Sequence, residues 1–418
     1  MLGIQQKFYL PLFFFIATTF FFYLQVFLYS VNIPYWDDYD VFLAFILDFQ
    51  EMNSDDYAAR FYSFFGLHNE HRPVTARAAA YTSFLLADRI DFSWLIRLGS
   101  LWVLGIFLMY SRDMRRFTAS PLQWMIPCFF LFQHRYGQIT FFATASWTNL
   151  PSFFFSLLFL HLLRTPGKTT AALGAGTLAA LSNGDGLLAF PAGLILLALE
   201  KRKREFFGCL GLFVALVGWY ALESFQTGGT SSPSARLDPV AVFDFFLIFI
   251  GSAPGFAHIH FARLAGALLF LSSLYILYKE RNRGDRRHTW LLLYLLLTAA
   301  AVAVRRHELG PERGMQYAYT FYSIFFLLPT LFYFLEAAKR RGISLGAALV
   351  ALGAVFFCLQ YILITPRLRE FNQRLQRAME PQSGRNPPGP EAYPNPERAR
   401  ELLGRASRKG IYEYAGPP

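Results

Sequence analysis

FYLPLFFFIATTFFFYLQVFLYS, residues 8–30, runs for 23 residues without a charged side chain. A helix rises about 1.5 Å per residue and the hydrocarbon core of a bilayer is about 30 Å thick, so roughly 20 such residues suffice to cross it. The stretch is longer than the apolar region of a secretion signal, about 7–15 residues, and no small-residue cleavage site follows it. It therefore reads as a first membrane span. Residues 343–364 form a second uncharged window of the same kind.

The composition extends this reading to the whole chain. Of its 418 residues, 54% are hydrophobic and 18% aromatic, against about 45–50% apolar in soluble domains. Mean hydropathy is +0.31. The formal charge of +11 sits in short linkers between apolar stretches, where the excess of lysine and arginine on the cytoplasmic side of membranes places it. Membrane topology thus accounts for the basicity, and a nucleic-acid partner is not expected. Cys128, Cys209 and Cys358 each lie inside an apolar segment, with neither metal-ligand spacing nor the even count of a disulfide framework.

The strongest basic clusters, Arg112 to Arg116, Lys201 to Arg204, Lys279 to Arg287 and Lys339 to Arg341, are assigned to the cytoplasm. Spans near 8–30, 94–111, 117–133, 148–163, 169–182, 186–199, 206–222, 261–278, 289–304, 318–335 and 343–364 satisfy that assignment. The expected fold is an all-α integral membrane protein, a polytopic helical bundle of about 11 spans within a range of 10–13. The N-terminus is expected in the cytoplasm of a cell-membrane protein and the C-terminus outside. Val74 to Ala87 is apolar enough for a short span, but counting it alone would reverse every later cluster. It is read instead as an interfacial or re-entrant helix.

Two regions follow: a transmembrane domain over 1–364, with a long first extracytoplasmic loop at 31–93, and a polar, Pro-rich extracytoplasmic tail over 365–418. The tail is too small and polar to bury a core. It holds two helix-like pieces, Leu368 to Met379 and Pro396 to Arg405, expected to order in part against the outer face. Thr227 to Ser234 reads as a Gly/Ser/Pro-rich loop and Val240 to Ile250 as an interfacial helix behind it. No fixed-period repeat is evident.

Polar groups gather on the outer face. Directly after the first span come Ile33-Pro34-Tyr35-Trp36-Asp37-Asp38-Tyr39-Asp40. Paired carboxylates repel, which raises one pKa toward that of a general base, or they ligate a hard cation together. A solvated turn with an interfacial aromatic belt would use the same residues. Further along the loop lies Leu67-His68-Asn69-Glu70-His71-Arg72-Pro73. His68 and His71 would share a face if helical, although Pro73 leaves the backbone open. Glu70 would orient a histidine or Arg72, and Arg72 would grip a phosphate through two hydrogen bonds; a loop network that only braces the helix entering the membrane would use the same residues. The spacing is not that of a zinc protease.

A third cluster, Arg305-Arg306-His307-Glu308-Leu309-Gly310-Pro311-Glu312-Arg313-Gly314, follows the ninth span. Arginines on the outer side break the charge rule and are expected where an anionic headgroup is held against the membrane. Two weaker features are the turn Ser182 to Gly186, read as structural unless its Asn183 and Asp185 face the same cavity, and the stretch from Gln133 through Gln138 to Trp147 and Asn149, which offers a stacking surface for a sugar at Trp147 but is explained as well by an interfacial belt.

With Trp36-Asp37-Asp38 after the first span and His68 to Arg72 later in the same loop, the chain resembles the GT-C superfamily of membrane glycosyltransferases over roughly residues 8–364. Relatives such as protein O-mannosyltransferases and lipid A aminoarabinose transferases place an acidic pair in the first outer loop. Asp37 and Asp38 match that position, although the second residue there is commonly Glu. The resemblance implies a polyprenyl-phosphate-linked sugar donor, a glycan, lipid or protein acceptor, and inverting transfer. Asp37 and Asp38 would be catalytic, Asp40, His68, Glu70 and His71 supporting, and Arg72, Arg305, Arg306 and Arg313 donor-phosphate ligands. No cofactor is certain; a divalent cation is an option that the carboxylates leave open. A transporter or flippase of lipid-linked saccharides would need charges deep in the spans, which are nearly charge-free here. A non-catalytic envelope assembly protein would tolerate Asp37→Asn.

Overall fold

The structure, a computed structural model, describes residues 2–114, 121–226, 237–255, 258–281, 286, 288–379 and 393–414. The basic residues Arg115 and Arg116, most of the 282–287 cluster, the loop Thr227 to Ser234 and the centre of the tail lie outside the described residues.

The chain is 81% helical, with no strand among the described residues. Helix α1 (Leu2–Tyr29) leads into a loop that carries a π-helical turn (Tyr39–Ala44), α2 (Phe45–Glu51), α3 (Tyr57–Phe65) and α4 (Val74–Ala87) before α5 (Phe92–Met114). A broken segment holding α6 (Met125–Leu131) and α7 (Gly137–Phe141) precedes α8 (Ala143–Leu163), then the short pair α9 (Thr169–Ala180) and α10 (Ala189–Leu199). There follow α11 (Lys203–Gln226), α12 (Pro239–Gly251), α13 (Ile259–Glu280), α14 (Thr289–Arg306), α15 (Tyr317–Arg340), α16 (Gly346–Met379) and α17 (Pro396–Arg408).

Among the described residues eight helices, α1, α5, α8, α11, α13, α14, α15 and α16, are long and apolar enough to cross a bilayer. The chain is a polytopic helical membrane protein. The remaining three expected spans are short or broken. Helices α9 and α10, of 12 and 11 residues, reach only about 18 and 16 Å. Such a pair returns the chain to the side it left whether or not it reaches the far surface. In the third, α6 stops after 7 residues and Phe132 leaves helical geometry. This segment still runs parallel to α1: Phe129 meets Phe14 with ring centroids 5.6 Å apart, and Phe132 meets Phe22 at 5.9 Å. Helix α4, of 14 residues, is about 21 Å long and shorter than the hydrocarbon core.

Helices α15 and α8 form the centre, 67% and 61% of their apolar windows being buried, whereas α11 at 11% and α1 at 17% turn most of their surface outward. In α8, Pro151 cannot donate to the carbonyl of Trp147, the bond a helix would otherwise make. The hydroxyl of Thr75 on α4 donates to that carbonyl instead. The proline thereby creates an anchor for the loop. Small residues set the closest crossing: a Cβ on Gly251 would stand 1.9 Å from the Ala262 carbonyl, and one on Gly266 1.8 Å from that of Leu247. Backbones of α12 and α13 touch there, as glycine allows in membrane helices.

The expected boundary at residues 364–365 falls inside α16, which continues through Pro366 to Met379. Beyond it, α17 packs on the first loop. Arg405 binds Asp48 and Glu51, Lys409 binds Glu51, and the Ile90 amide donates to the Ile411 carbonyl.

Candidate active site

The loop after α1 separates its three carboxylates by burial. Asp38 is 1% exposed and accepts from the Thr144 amide at 2.7 Å, the Thr144 hydroxyl at 2.6 Å and the Tyr35 amide at 3.1 Å. Burial pushes its pKa up to about 6, against the pull of those donors; it is mainly ionised at pH 7. Asp38 thus ties the loop to the start of α8. Asp37 leaves half of its side chain exposed, at 51%, and stands 3.3 Å from Nε2 of His68. Asp40 points elsewhere: its carboxylate accepts from the Tyr393 hydroxyl at 2.6 Å and from Arg398 Nε at 3.2 Å. The supporting role expected for it at Asp37 is replaced by an attachment to the tail.

Trp36 holds φ at +50° immediately before the pair. For a bulky side chain this left-handed conformation costs on the order of 1–3 kcal/mol, and such strain concentrates at functional sites. The π-helical turn that begins at Tyr39 is another irregularity of that kind.

Residues 68–71 are not helical. The His68 and His71 amides each donate to the other's carbonyl, at 2.8 and 3.0 Å, around Asn69 with φ +52°. This tight turn sends the two imidazoles to different partners. His68 faces Asp37, whereas His71 Nδ1 accepts from the Gly184 amide at 3.2 Å. That acceptor role leaves the hydrogen on His71 Nε2, and burial lowers the pKa of the ring so that it stays neutral. Between them Glu70 accepts from Arg306 at 2.7 Å and pairs with Arg305 at 3.6 Å. Burial works against ionisation of Glu70, but the guanidinium groups of Arg306 and Arg305 oppose it, and the carboxyl lies below its usual range.

Two of the expected phosphate ligands stand apart. Arg72 is fully buried; it binds Glu223 at 2.7 Å, donates to the carbonyls of Phe65 and Trp219, and lies 3.9 Å from the Trp219 ring centroid. It locks the loop to the end of α11 and offers no surface to a ligand. Arg313 is exposed on the turn Pro311–Met315 and does not line the cavity that Arg305 and Arg306 line.

That cavity, of ≈ 540 Å³, has Arg305, Arg306 and Glu70 among its polar lining and Leu187, Leu188, Phe213 and Val217 among its apolar walls. A smaller one of ≈ 160 Å³ is lined by Trp36, Asp37, Asp38, His68 and Thr148. His71, Asn149 and Asn183 line both. Asn183 donates to Asn149 at 2.9 Å, and Asp185 accepts from Ser152 at 2.7 Å and from Tyr322, so the turn after α9 is fixed to α8 and α15. Thr144, Ser152 and Tyr322 carried no signal in the sequence, being lone hydroxyls in apolar helices. Asn149, Asn183 and Asp185 were marked only weakly by their polarity.

Asp37 and His68 offer two donors to a cation, but among the described residues no three His, Cys, Asp or Glu side chains gather as metal ligands. No family model matches the chain, and no curated protein or solved structure matches it. The site is defined by geometry: a half-exposed carboxylate beside an imidazole, adjoining an apolar cavity with two arginines.

Proposed function

We propose that this chain is a membrane glycosyltransferase that takes a sugar from a polyprenyl-phosphate donor and passes it to an envelope glycan, lipid or protein acceptor on the extracytoplasmic side of the cell membrane. The single observation that carries the reading is the shared wall of the two cavities, which puts Asp37 beside a chamber with an apolar side and an arginine pair.

In this reading the prenyl chain lies along Leu187, Leu188, Phe213 and Val217, and Arg305 and Arg306 hold the phosphate. An incoming phosphate displaces Glu70 from them, one anion for another. The sugar then projects past Asn149 and Asn183 toward Asp37. Asp37 takes the acceptor hydroxyl proton as that oxygen bonds to C1, while the C1–O bond to phosphate breaks and polyprenyl phosphate leaves with its electron pair. Two guanidinium groups stabilise the charge that develops on the leaving group. Attack from the face opposite the phosphate inverts the anomeric centre. Asp38 acts by positioning, since its carboxylate is committed to Thr144 and Tyr35.

The test is a strain lacking the protein, complemented with wild type, Asp37→Asn or Arg306→Gln, with its envelope glycans and lipid-linked saccharides analysed by mass spectrometry. Wild type restores the missing residue, Asp37→Asn expresses without restoring it, and Arg306→Gln accumulates unused donor. Full restoration by Asp37→Asn removes the reading.

A further inference from the structure

Two cavities meet along the flank that α1 and α16 share. The larger, of ≈ 780 Å³, is a groove walled by Phe21, Phe357, Cys358 and Ile362, in the apolar stretches of those helices. The smaller, of ≈ 400 Å³, lies where the chain leaves α1, and Asn32 and Ile33, a few residues before Asp37, line it. Arg369 and Gln373 line both. No residue lines either of them and also the cavity of Arg305 and Arg306. From Cys358 to Gln373 the wall follows α16 for about 22 Å, the depth of one bilayer leaflet with its headgroup layer, about 20–22 Å.

The smaller chamber suits an anion. Arg97 and Arg369 line it and no carboxylate does, and neither guanidinium forms an ion pair among the described residues. Glu370 borders the groove but not the chamber. Arg97 stands about 8 Å along α5 from Phe92, inside a helix apolar enough to span the membrane, where an uncompensated charge is costly. Its guanidinium is fixed from the protein side: it lies 4.2 Å from the Phe27 ring centroid and 5.4 Å from that of Trp94, and Nη2 donates to the Phe27 carbonyl at 3.3 Å. A positive charge set that deep without a counter-ion is explained by an anion that arrives with the bilayer. The tail closes the chamber: Tyr414 lines it, and the Tyr412 hydroxyl donates to the Asn32 carbonyl at 2.8 Å. We propose that the two cavities hold one anionic phospholipid, its phosphate between Arg97 and Arg369 and an acyl chain in the groove. Gln373 and Gln376, which line the chamber, offer amides to hydroxyls of the headgroup. Such a lipid ties α1, α5 and α16 together just before the loop that carries Asp37.

The experiment uses the full chain purified in detergent, stripped of lipid and titrated with phosphatidylglycerol, phosphatidylcholine or inorganic phosphate. Bound lipid is counted by native mass spectrometry. Occupation of the groove is read from the rate at which N-ethylmaleimide modifies Cys358, which is exposed, whereas Cys128 and Cys209 are buried. Wild type is expected to bind phosphatidylglycerol about tenfold more tightly than phosphatidylcholine, and the bound lipid to slow modification of Cys358. Arg369→Gln, an exposed change, and Arg97→Gln are each expected to weaken phosphatidylglycerol binding about tenfold, while Arg306→Gln, in the other cavity, leaves it unchanged. Equal binding of the two lipids, wild-type binding by either Arg97→Gln or Arg369→Gln, or phosphatidylglycerol bound without protection of Cys358 overturns the inference. Protection by inorganic phosphate equal to that by the lipid removes the lipid as occupant. None of these outcomes depends on whether the chain transfers a sugar.

Discussion

Adjacent carboxylates repel, and burial assigns Asp37 and Asp38 different work. Three donors surround Asp38, yet removal from water outweighs them and lifts its pKa from 3.8 to about 6. The folded state therefore holds a proton more tightly than the unfolded chain between about pH 4 and pH 6. Stability is highest below that window and falls as pH rises through it, by about 3 kcal/mol for a shift of roughly two units. Because His71, with its lowered pKa, contributes the opposite slope over the same range, the Asp38 contribution is read as the difference in thermal unfolding between wild type and Asp38→Asn in detergent, which should change by that amount between about pH 4 and pH 6; a pH-independent difference would refute the assignment. Asp37, half in water, carries no such structural duty, so Asp37→Asn should unfold within about 0.5 kcal/mol of wild type. The acidic run itself was legible in the sequence. The division of labour was not, because it depends on Thr144, distant in sequence, approaching Asp38.

At the scale of elements, the first loop is held in place by groups that the sequence left open between bracing the loop and binding a ligand. Arg72 read as a phosphate ligand because guanidinium groups near a membrane surface commonly serve that purpose; its burial against Trp219 and Glu223 follows from how α11 ends. Removing one partner of a buried ion pair leaves a charge uncompensated and costs about 3–5 kcal/mol, whereas replacing both with apolar groups of similar size is often neutral. Arg72→Met should accordingly destabilise strongly, and the double variant Arg72→Met, Glu223→Leu should recover much of the loss. Equilibrium or thermal unfolding of the four-member cycle measures this, and a sum of two independent losses would count against the pair as a unit. Arg306, partly exposed on its own turn, behaves otherwise: Arg306→Gln should leave unfolding nearly unchanged and weaken binding of a short-chain prenyl phosphate about tenfold or more, read by titration. The regular spans were visible from hydropathy alone. The span expected over 117–133 ends within two residues of the end of α6 at Leu131; what hydropathy hid is its irregular start, a 3-10 turn at Pro121–Trp124, which an apolar stretch does not distinguish from α-helix.

Over the whole molecule, the contacts gather one end of the bundle. Asp38 meets the start of α8, Arg72 the end of α11, Glu70 the end of α14, and Asp40 the tail that follows α16. These links gather at one end the segments that the basic clusters group on one side, even though α9, α10 and α6 are too short or irregular to count as ordinary spans. Hydropathy separates spans from loops because a charged side chain is costly within the bilayer. The tail was expected to order in part against the outer face, but its partners Asp40, Asp48 and Glu51 could not be read, because exposed ion pairs leave little pattern in sequence. The arrangement makes a definite claim about accessibility. With Cys128, Cys209 and Cys358 replaced by serine or alanine, single cysteines at Asn69, Glu308 and Arg400 should all react with a membrane-impermeant maleimide added to intact cells. Cysteines at Lys201 and Arg340, beyond the other end of their spans, should react only after the membrane is opened. Labelling of Glu308→Cys from the side opposite Asn69→Cys would separate the arginine pair from Asp37, and the two cavities could then not serve one reaction.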